Sequence, residues 1–212
     1  MIFLAGALVA FTSDQFFRVR TIEFTGDGVR ISIDPERIEK NLLFLSASRM
    51  EDDLLIAYPE LKEVIVKKKI PQTLVISASL RSPIARLETD THAFMLDREG
   101  VVLPLTDSSA ILPVIRIHID TVRVGDSVHD EGISAALAFL TEFENEIPIL
   151  SIEKKDTLSL RAKTDKTDIF IPQGGDMRIL AATLQTMFLG FRIKGSLPAL
   201  IDLRFDKPIV TF

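Results

Sequence analysis

Apolar residues recur at every second position in three segments of the first third of the chain, a period typical of β-strands. These segments are FFRVRTIEF, which ends in a Gly26-Asp27-Gly28 turn, LKEVIVKKK and TLVISASL. The apolar side chains expected to share one face of a strand are Ile22 and Phe24 in the first strand, Val64 and Val66 in the second, and Leu74, Ile76, Ala78 and Leu80 in the third. The short IPQ segment between the second and third strands predicts a tight hairpin.

Two amphipathic helices are predicted between the first and second strands. In DPERIEKNLLFL, Asp34 is placed as an N-cap, Pro35 occupies the first helical position, and Ile38, Leu42 and Leu45 share one face. A capping box formed by Ser48 and Glu51 starts the second helix, which ends after Tyr58 because Pro59 follows. The predicted order is therefore strand, helix, helix, strand, strand.

From residue 84 onwards the pattern is mostly β, with two helices. HAFMLDREGVVLP predicts a hairpin whose turn ends at Gly100, a residue that can take a positive φ. Further strands are expected around residues 112–117 and 151–162. One helical stripe consists of Ile133, Ala136, Leu137, Leu140 and Phe143; the other consists of Met177, Leu180, Leu184, Met187 and Phe191, with Asp176 as its N-cap. We expect an α+β fold in which an antiparallel sheet carries helices on one face.

The first eleven residues, MIFLAGALVAF, are apolar throughout. As a helix they would cover roughly 16 Å, about half of the ~30 Å hydrocarbon core of a bilayer. A signal peptide would have a basic start, yet the first Lys or Arg is Arg18. We interpret the segment as the outer half of a transmembrane helix whose inner half is missing from this chain. The alternative is a buried first helix.

Composition excludes several classes of protein. With 47% hydrophobic and 26% charged residues, the 212-residue chain is typical of globular proteins with a packed core. A net charge of −5 argues against a nucleic-acid partner, which requires a basic surface. Because the chain has no cysteine, it has neither disulfides nor thiolate chemistry. The Lys67-Lys68-Lys69 run ends a predicted strand, where lysines usually prevent edge-to-edge aggregation.

No catalytic, cofactor or metal site is predicted. His118 and Asp120 point to the same side of a strand, but the spacing offers no third metal ligand, so a surface strand pair is the preferred interpretation. The Gly174-Gly175 pair precedes a helix without the lysine of a phosphate-binding loop, and Asp176 would repel an anion there. We therefore expect a protein that is not an enzyme and binds no small-molecule substrate.

The chain ends with IDLRFDKPIVTF, which predicts a strand, a break and an apolar edge. Ile201, Leu203 and Phe205 are expected to face the core, while Asp202 and Arg204 point outwards. The break falls at Asp206-Lys207-Pro208, and a proline is confined to an edge strand or a strand start. IVTF is therefore placed at or beside a sheet edge, where a strand from another chain could cover it. The alternative is an internal strand buried on both faces.

Several of these segments, in this order, resemble the FtsQ/DivIB family of bacterial cell-division proteins. The similar motifs are IEFTGDG, YPELKEVIVKKKIPQTLVISASLRSPIARL, and the ending DIFIPQGGDMRIL followed by IDLRF. The resemblance implies a partial transmembrane anchor and linker in residues 1–15, a POTRA-like domain with strand order βααββ in residues 16–83, and an FtsQ-type β domain in residues 84–212. It also implies a single-pass protein of the cytoplasmic membrane, with its domains on the extracytoplasmic side at the division septum.

The same resemblance implies a non-enzymatic scaffold of the divisome whose partners are FtsB-like and FtsL-like proteins. In that family an FtsB strand is added at the C-terminal edge. The residues expected to bind it are Arg204, Phe205, Ile209, Val210, Thr211 and Phe212. The alternative function is a POTRA-containing envelope assembly factor, or an envelope enzyme with an unrecognised site. An assembly factor should show repeated POTRA units, and an enzyme should show convergent polar residues in the second domain.

Overall fold

Residues 15–26, 39–105, 111–119, 121–143 and 147–212 are described by a computed structural model of the chain. Contacts between residues divide the chain into two units, Met1–Arg81 and Ser82–Phe212. Each unit combines helix with sheet, which confirms the α+β class. The MIFLAGALVAF segment lies outside the described residues. Within the described ranges, no helix is both long enough and apolar enough to cross a membrane.

The first unit contains a three-stranded sheet and one described helix. Its elements are β1 (Thr21–Thr25), α1 (Ala47–Ala57), β2 (Leu61–Lys69) and β3 (Thr73–Leu80). The sheet order is β1-β3-β2, with β1 parallel and β2 antiparallel to β3, so the three predicted strands are confirmed. The described core consists of Leu42, Leu45, Leu54, Leu61, Val64, Val66, Leu74 and Ile76. Phe24 and Leu80, which share a strand face with the partly buried Ile22 and the buried Ile76 respectively, are exposed.

The helix predicted through Leu45 is wrong over residues 39–45, which form a single turn. Asn41 explains the difference, because its side-chain oxygen accepts a hydrogen bond from the Leu43 N–H at 2.9 Å. Asparagine side chains compete in this way with the hydrogen bonds of a helix. The Leu42 N–H donates to the Phe17 carbonyl, 2.9 Å away, rather than to a preceding helical turn. The start of the predicted helix, residues 34–38, lies outside the described residues.

The second predicted helix is α1, but its N-cap is Ser46 rather than Ser48. The Ser46 hydroxyl accepts a hydrogen bond from the Arg49 N–H at 3.3 Å, so the helix begins two residues earlier than the capping box predicted. Glu51 therefore does not close a capping box: its carboxylate accepts a hydrogen bond from the Val66 N–H of β2, 2.7 Å away. The end of the helix at Tyr58 is confirmed.

The second unit contains a nine-stranded sheet. Its strands are β4 (Pro83–Glu88), β5 (Ala93–Asp97), β6 (Val102–Leu103), β7 (Val114–Arg116), β8 (Ser151–Lys154), β9 (Ser159–Lys163), β10 (Asp168–Pro172), β11 (Leu200–Asp202) and β12 (Ile209–Thr211). The order is β12-β11-β10-β9-β8-β7-β4-β5-β6. The prediction of a purely antiparallel sheet is wrong, because the β4–β7, β7–β8 and β10–β11 pairs are parallel. Residues 151–162 also form two strands rather than one, since a turn at Asp156 separates β8 from β9.

Two helices, α2 (Glu131–Glu142) and α3 (Met177–Lys194), share one core with the sheet. Asp130 caps α2 and Asp176 caps α3, the latter as predicted. Because the buried residues of both helices belong to the same cluster as the inward-facing strand residues, the prediction of helices on one face is confirmed. The β5–β6 turn is also confirmed, with Gly100 at a φ of 78°.

Candidate partner-binding edge

β12 lies at one end of the nine-stranded order and pairs antiparallel with β11. At the opposite end, the loop after β7 covers β6: the Val102 N–H donates to the Asp126 carbonyl at 2.9 Å, and the Gly125 N–H donates to the Val102 carbonyl at 2.8 Å. In the part of the chain that the structure describes, no strand pairs with the outer side of β12. Ile209 is 52% exposed and Phe212 70% exposed, so the alternative of an internal strand buried on both faces is wrong.

Hydrogen bonds between β10 and β11 fix the direction in which each residue of β11 bonds. The Asp168 N–H donates to the Ala199 carbonyl at 2.9 Å, and the Leu203 N–H donates to the Phe170 carbonyl at 2.8 Å. In a parallel pair, alternate residues of a strand bond to the same neighbour. The odd-numbered residues of β11 therefore point their backbone groups towards β10, and the even-numbered residues point theirs towards β12.

This alternation determines which backbone groups of β12 are open. The even-numbered residues of β11, Leu200 and Asp202, lie opposite Thr211 and Ile209. Those two residues of β12 therefore exchange hydrogen bonds with β11. Val210, between them, turns its N–H and C=O away from the sheet. An added strand would find its central hydrogen-bonding residue there.

The side chains of β12 point alternately to the two faces of the sheet. Val210 lies opposite the buried Ile201 and therefore shares the helix-covered face. Phe212 follows on that face, where its ring contacts Phe191 of α3 edge to face, with the centroids 5.7 Å apart. Ile209 points to the opposite face. Apolar anchors for an added strand are thus available on both sides of the edge.

Asp202 and Arg204 form a close ion pair beside β12. Nε of Arg204 donates to Oδ1 of Asp202 at 2.9 Å, and Nη2 donates to Oδ2 at 2.6 Å. These hydrogen bonds lower the pKa of the Asp202 carboxyl below its ordinary value and raise the pKa of the guanidinium. The guanidinium carbon of Arg204 also lies 5.0 Å from the centroid of the Phe170 ring. The arginine is therefore held in place on the open face of the sheet.

Two residues near the edge differ from the sequence-based prediction. Asp202, expected to point into solvent, is only 6% exposed, because Arg204 neutralises it. Phe205, expected in the core, is 54% exposed, because β11 ends at Asp202 and the chain bends there. The Asp-x-Arg spacing of the two ion-paired residues was the available sequence signal for this contact.

The histidines considered as candidate metal ligands do not belong to this edge. His118 lies with Nδ1 3.5 Å from the Asp90 carboxylate, and both side chains are exposed. Asp120 lies outside the described residues. His118 and His92 line a cavity of about 330 Å³ between the β4–β5 turn and the loop after β7. Within the described ranges, no three potential metal ligands come together.

Comparison with known proteins agrees with the resemblance seen in the sequence. No protein-family model matches the chain. The chain is 22% identical over 218 residues to the cell division protein DivIB of Clostridium tetani, a match that covers 93% of this chain and 80% of that protein. It is 21% identical over 159 residues to DivIB of Clostridium acetobutylicum, covering 69% of this chain and 63% of that protein. These similarities indicate a cell division protein and support the membership of this chain in the FtsQ/DivIB family.

Proposed function

We propose that this protein is a non-enzymatic scaffold of the division machinery that docks a partner protein by strand addition to β12. The observation that carries the proposal is the outward direction of the N–H and C=O of Val210 on an exposed sheet edge. Backbone groups on an open edge attract a further strand, because pairing satisfies them without a change in the fold. The other end of the sheet is covered by the chain itself, which directs a partner to β12.

The proposed partners are FtsB-like and FtsL-like division proteins, of which the FtsB-like protein supplies the strand. An added strand would place side chains on two faces, next to Val210 and Phe212 on one and next to Ile209 and Thr211 on the other. Arg204 and Phe205, which follow β11, lie in sequence immediately before the turn into β12. Arg204 is held by Asp202 and would meet the partner as a fixed cation.

The proposal includes a location and a domain arrangement. MIFLAGALVAF would be the outer part of a single-pass anchor in the cytoplasmic membrane, and residues 16–83 would form the POTRA-like domain. Both units would lie outside the cytoplasm at the division septum. The resemblance to the FtsQ/DivIB family supports this arrangement.

Isothermal titration of the whole protein with the extracytoplasmic part of an FtsB-like partner tests the proposal. A variant truncated after Pro208 lacks β12 and is expected to lose binding by at least about a hundredfold, equivalent to roughly 3 kcal/mol. Ile56→Glu, a change at a residue that is 78% exposed in α1 of the first unit, is the control and should bind as the wild type does. Wild-type affinity in the truncated variant would reject strand addition at β12.

A further inference from the structure

The edge strand β2 of the first unit offers a longer template for strand addition than β12 does. It has nine residues, whereas β12 has three. In the part of the chain that the structure describes, no strand pairs with its outer side. A long, unprotected edge strand attracts a further strand from another molecule. A partner strand would therefore meet a competing edge in the same protein unless something closes β2.

Hydrogen bonds on the far side of β3 determine which backbone groups of β2 point outwards. The Gln72 carbonyl, directly before β3, accepts hydrogen bonds from the N–H groups of Arg20 and Thr21 at the start of β1, at 2.9 and 3.2 Å. Alternate residues of a central strand bond to opposite neighbours, so the even-numbered residues of β3 bond to β1 and the odd-numbered ones to β2. Val66 lies opposite the even-numbered Ile76, and its N–H and C=O therefore point away from the sheet.

The lysine run at the end of β2 protects only part of this edge. Val64 and Lys68 lie opposite Ala78 and Leu74, so their backbone groups point outwards like those of Val66. A lysine on an edge strand hinders pairing, and Lys68 belongs to the run. The middle of the strand carries no such charge, because Val64 and Val66 are apolar and buried. Protection at this point has to come from outside the strand.

Glu51 of α1 lies over the middle of the β2 edge. Its Oε1 accepts a hydrogen bond from the outward N–H of Val66 at 2.7 Å. About one turn further along α1, Leu54 is buried in the core of the first unit, and α1 packs against β2. The helix therefore holds the carboxylate in place. A hydrogen bond to an ionised acceptor is roughly twice as strong as one between neutral groups, so this contact resists displacement.

We propose that Glu51 closes β2 to strand addition and thereby confines a partner strand to β12. Paired strands lie about 4.8 Å apart, so an added backbone would need the space in which the Glu51 carboxylate contacts Val66. It would also replace the bond from the Val66 N–H to a charged oxygen by a weaker bond to a neutral carbonyl. The closure of β2 depends on the geometry of the first unit alone, whereas the confinement to β12 rests on the proposed function.

Amide hydrogen exchange in the whole protein, followed by NMR, tests the closure of β2. The probe is a capped peptide as long as β2 in which threonine and glutamate alternate, a soluble sequence able to pair as a strand. In the wild type, the peptide at up to about 1 mM should leave exchange unchanged at Val64, Val66 and Lys68. Exchange at Val210 with an FtsB-like partner tests the proposed function in the same protein, so failure of strand addition at β12 and failure of closure at β2 are distinguishable.

Three variants of α1 separate closure of the edge from a merely structural role of Glu51. In Glu51→Ala, exchange at Val66 should be at least about tenfold faster than in the wild type, and the peptide should slow it by at least about threefold. Asp53→Ala removes an exposed carboxylate from the same helix and should behave as the wild type does. Glu51→Gln keeps an oxygen that can accept from the Val66 N–H, so it should restore slow exchange and exclude the peptide. A merely structural role would change stability without creating a site for the peptide.

Several results would overturn the proposal. One is a folded Glu51→Ala protein in which the peptide does not slow exchange at Val66, and another is an equal response of Glu51→Ala and Asp53→Ala to the peptide. Thermal melting establishes that each variant is folded. The wild type supplies a test that needs no variant, because slower exchange at Val64 or Lys68 in the presence of the peptide would show that β2 is open despite Glu51.

Discussion

Replacement of Val210 by proline removes one backbone donor on the open side of β12. Because the N–H of Val210 points away from β11, its loss takes no hydrogen bond from the sheet itself. Edge strands tolerate proline where the missing donor faces solvent. The isolated protein should therefore melt within about 2 °C of the wild type, which corresponds to roughly 0.5 kcal/mol or less for a unit of this size.

The complex with the partner strand should be affected far more. A backbone carbonyl of the partner strand would lose the Val210 N–H as its donor and be left unsatisfied in the interface, which costs about 1–3 kcal/mol. The proline ring would also occupy part of the space that the added backbone needs. A total of about 2–3 kcal/mol corresponds to a loss of affinity of roughly 30-fold to 150-fold.

Thr211→Pro provides the matched control, since the neighbouring N–H points inwards and bonds to β11. This variant should lose a bond of the sheet and lower the stability of the isolated protein, by an amount of order 3 kcal/mol if the strand stays in place. Affinity for an FtsB-like peptide and thermal melting are measured for both variants. Wild-type affinity in a folded Val210→Pro protein, or equal melting losses in the two variants, would refute the assigned bonding directions.

Two further substitutions test parts of the second unit other than the outward-facing N–H and C=O of Val210. Asp202→Asn should lower the free energy of unfolding at pH 7 by about 1–3 kcal/mol, because Arg204 loses a charged acceptor. The pKa of Asp202 is lowered in the folded state, so the stability difference between the wild type and Asp202→Asn should be present above pH ~4 and disappear as the pH falls through the folded pKa. Urea unfolding of both proteins at several pH values measures it. Gly100→Ala should cost about 1–3 kcal/mol in urea unfolding, because φ is 78° and the new Cβ would lie 3.0 Å from the Val128 carbonyl oxygen.

The elements that the sequence predicted correctly are those in which periodicity and burial agree. β2 and β3 bury the residues that their two-residue period selects, except for Ala78, which is half-buried, and Leu80, which is exposed at the end of β3. The stripe predicted for α2 is buried except for Leu140, which is half-buried. The stripe predicted for α3 is only half right: Met177 and Leu184 are buried, and the other three residues pack against the core in part. In both cases tertiary packing reinforces a local pattern.

The predictions that were wrong depend on competition between hydrogen bonds or on strand pairing across the sheet. The Asn41 side chain accepts a hydrogen bond from the Leu43 N–H, which competes with the backbone bonds of the predicted helix. The Glu51 carboxylate accepts from the Val66 N–H of β2 instead of from the start of its own helix. Local sequence predicts neither hydrogen bond. Asn41 bonds to a neighbouring backbone N–H that the helix pattern assigns to the helix, and Glu51 bonds to a residue 15 positions away. The parallel pairs in the second sheet likewise depend on how distant segments meet, which periodicity does not encode.

At the candidate site, the sequence predicted the edge but not its detailed geometry. Pro208 and the apolar residues after it placed a strand at a sheet edge, which is where β12 lies. The direction of the backbone groups of Val210 follows from the register with β11 and from the bonds of β11 to β10. The burial of Asp202 required knowing where β11 ends.

Hydrogen exchange at the amide of Val210, followed by NMR in the whole protein with and without an FtsB-like partner, tests strand addition most directly. In the free protein this amide faces solvent and should exchange faster than the amides of Ile209 and Thr211, which bond to β11. Strand addition predicts that saturation with the partner slows exchange at Val210 by at least about a hundredfold, with little change at its two neighbours. Unchanged exchange at Val210 in a saturated complex would contradict the assignment of β12 as the docking strand.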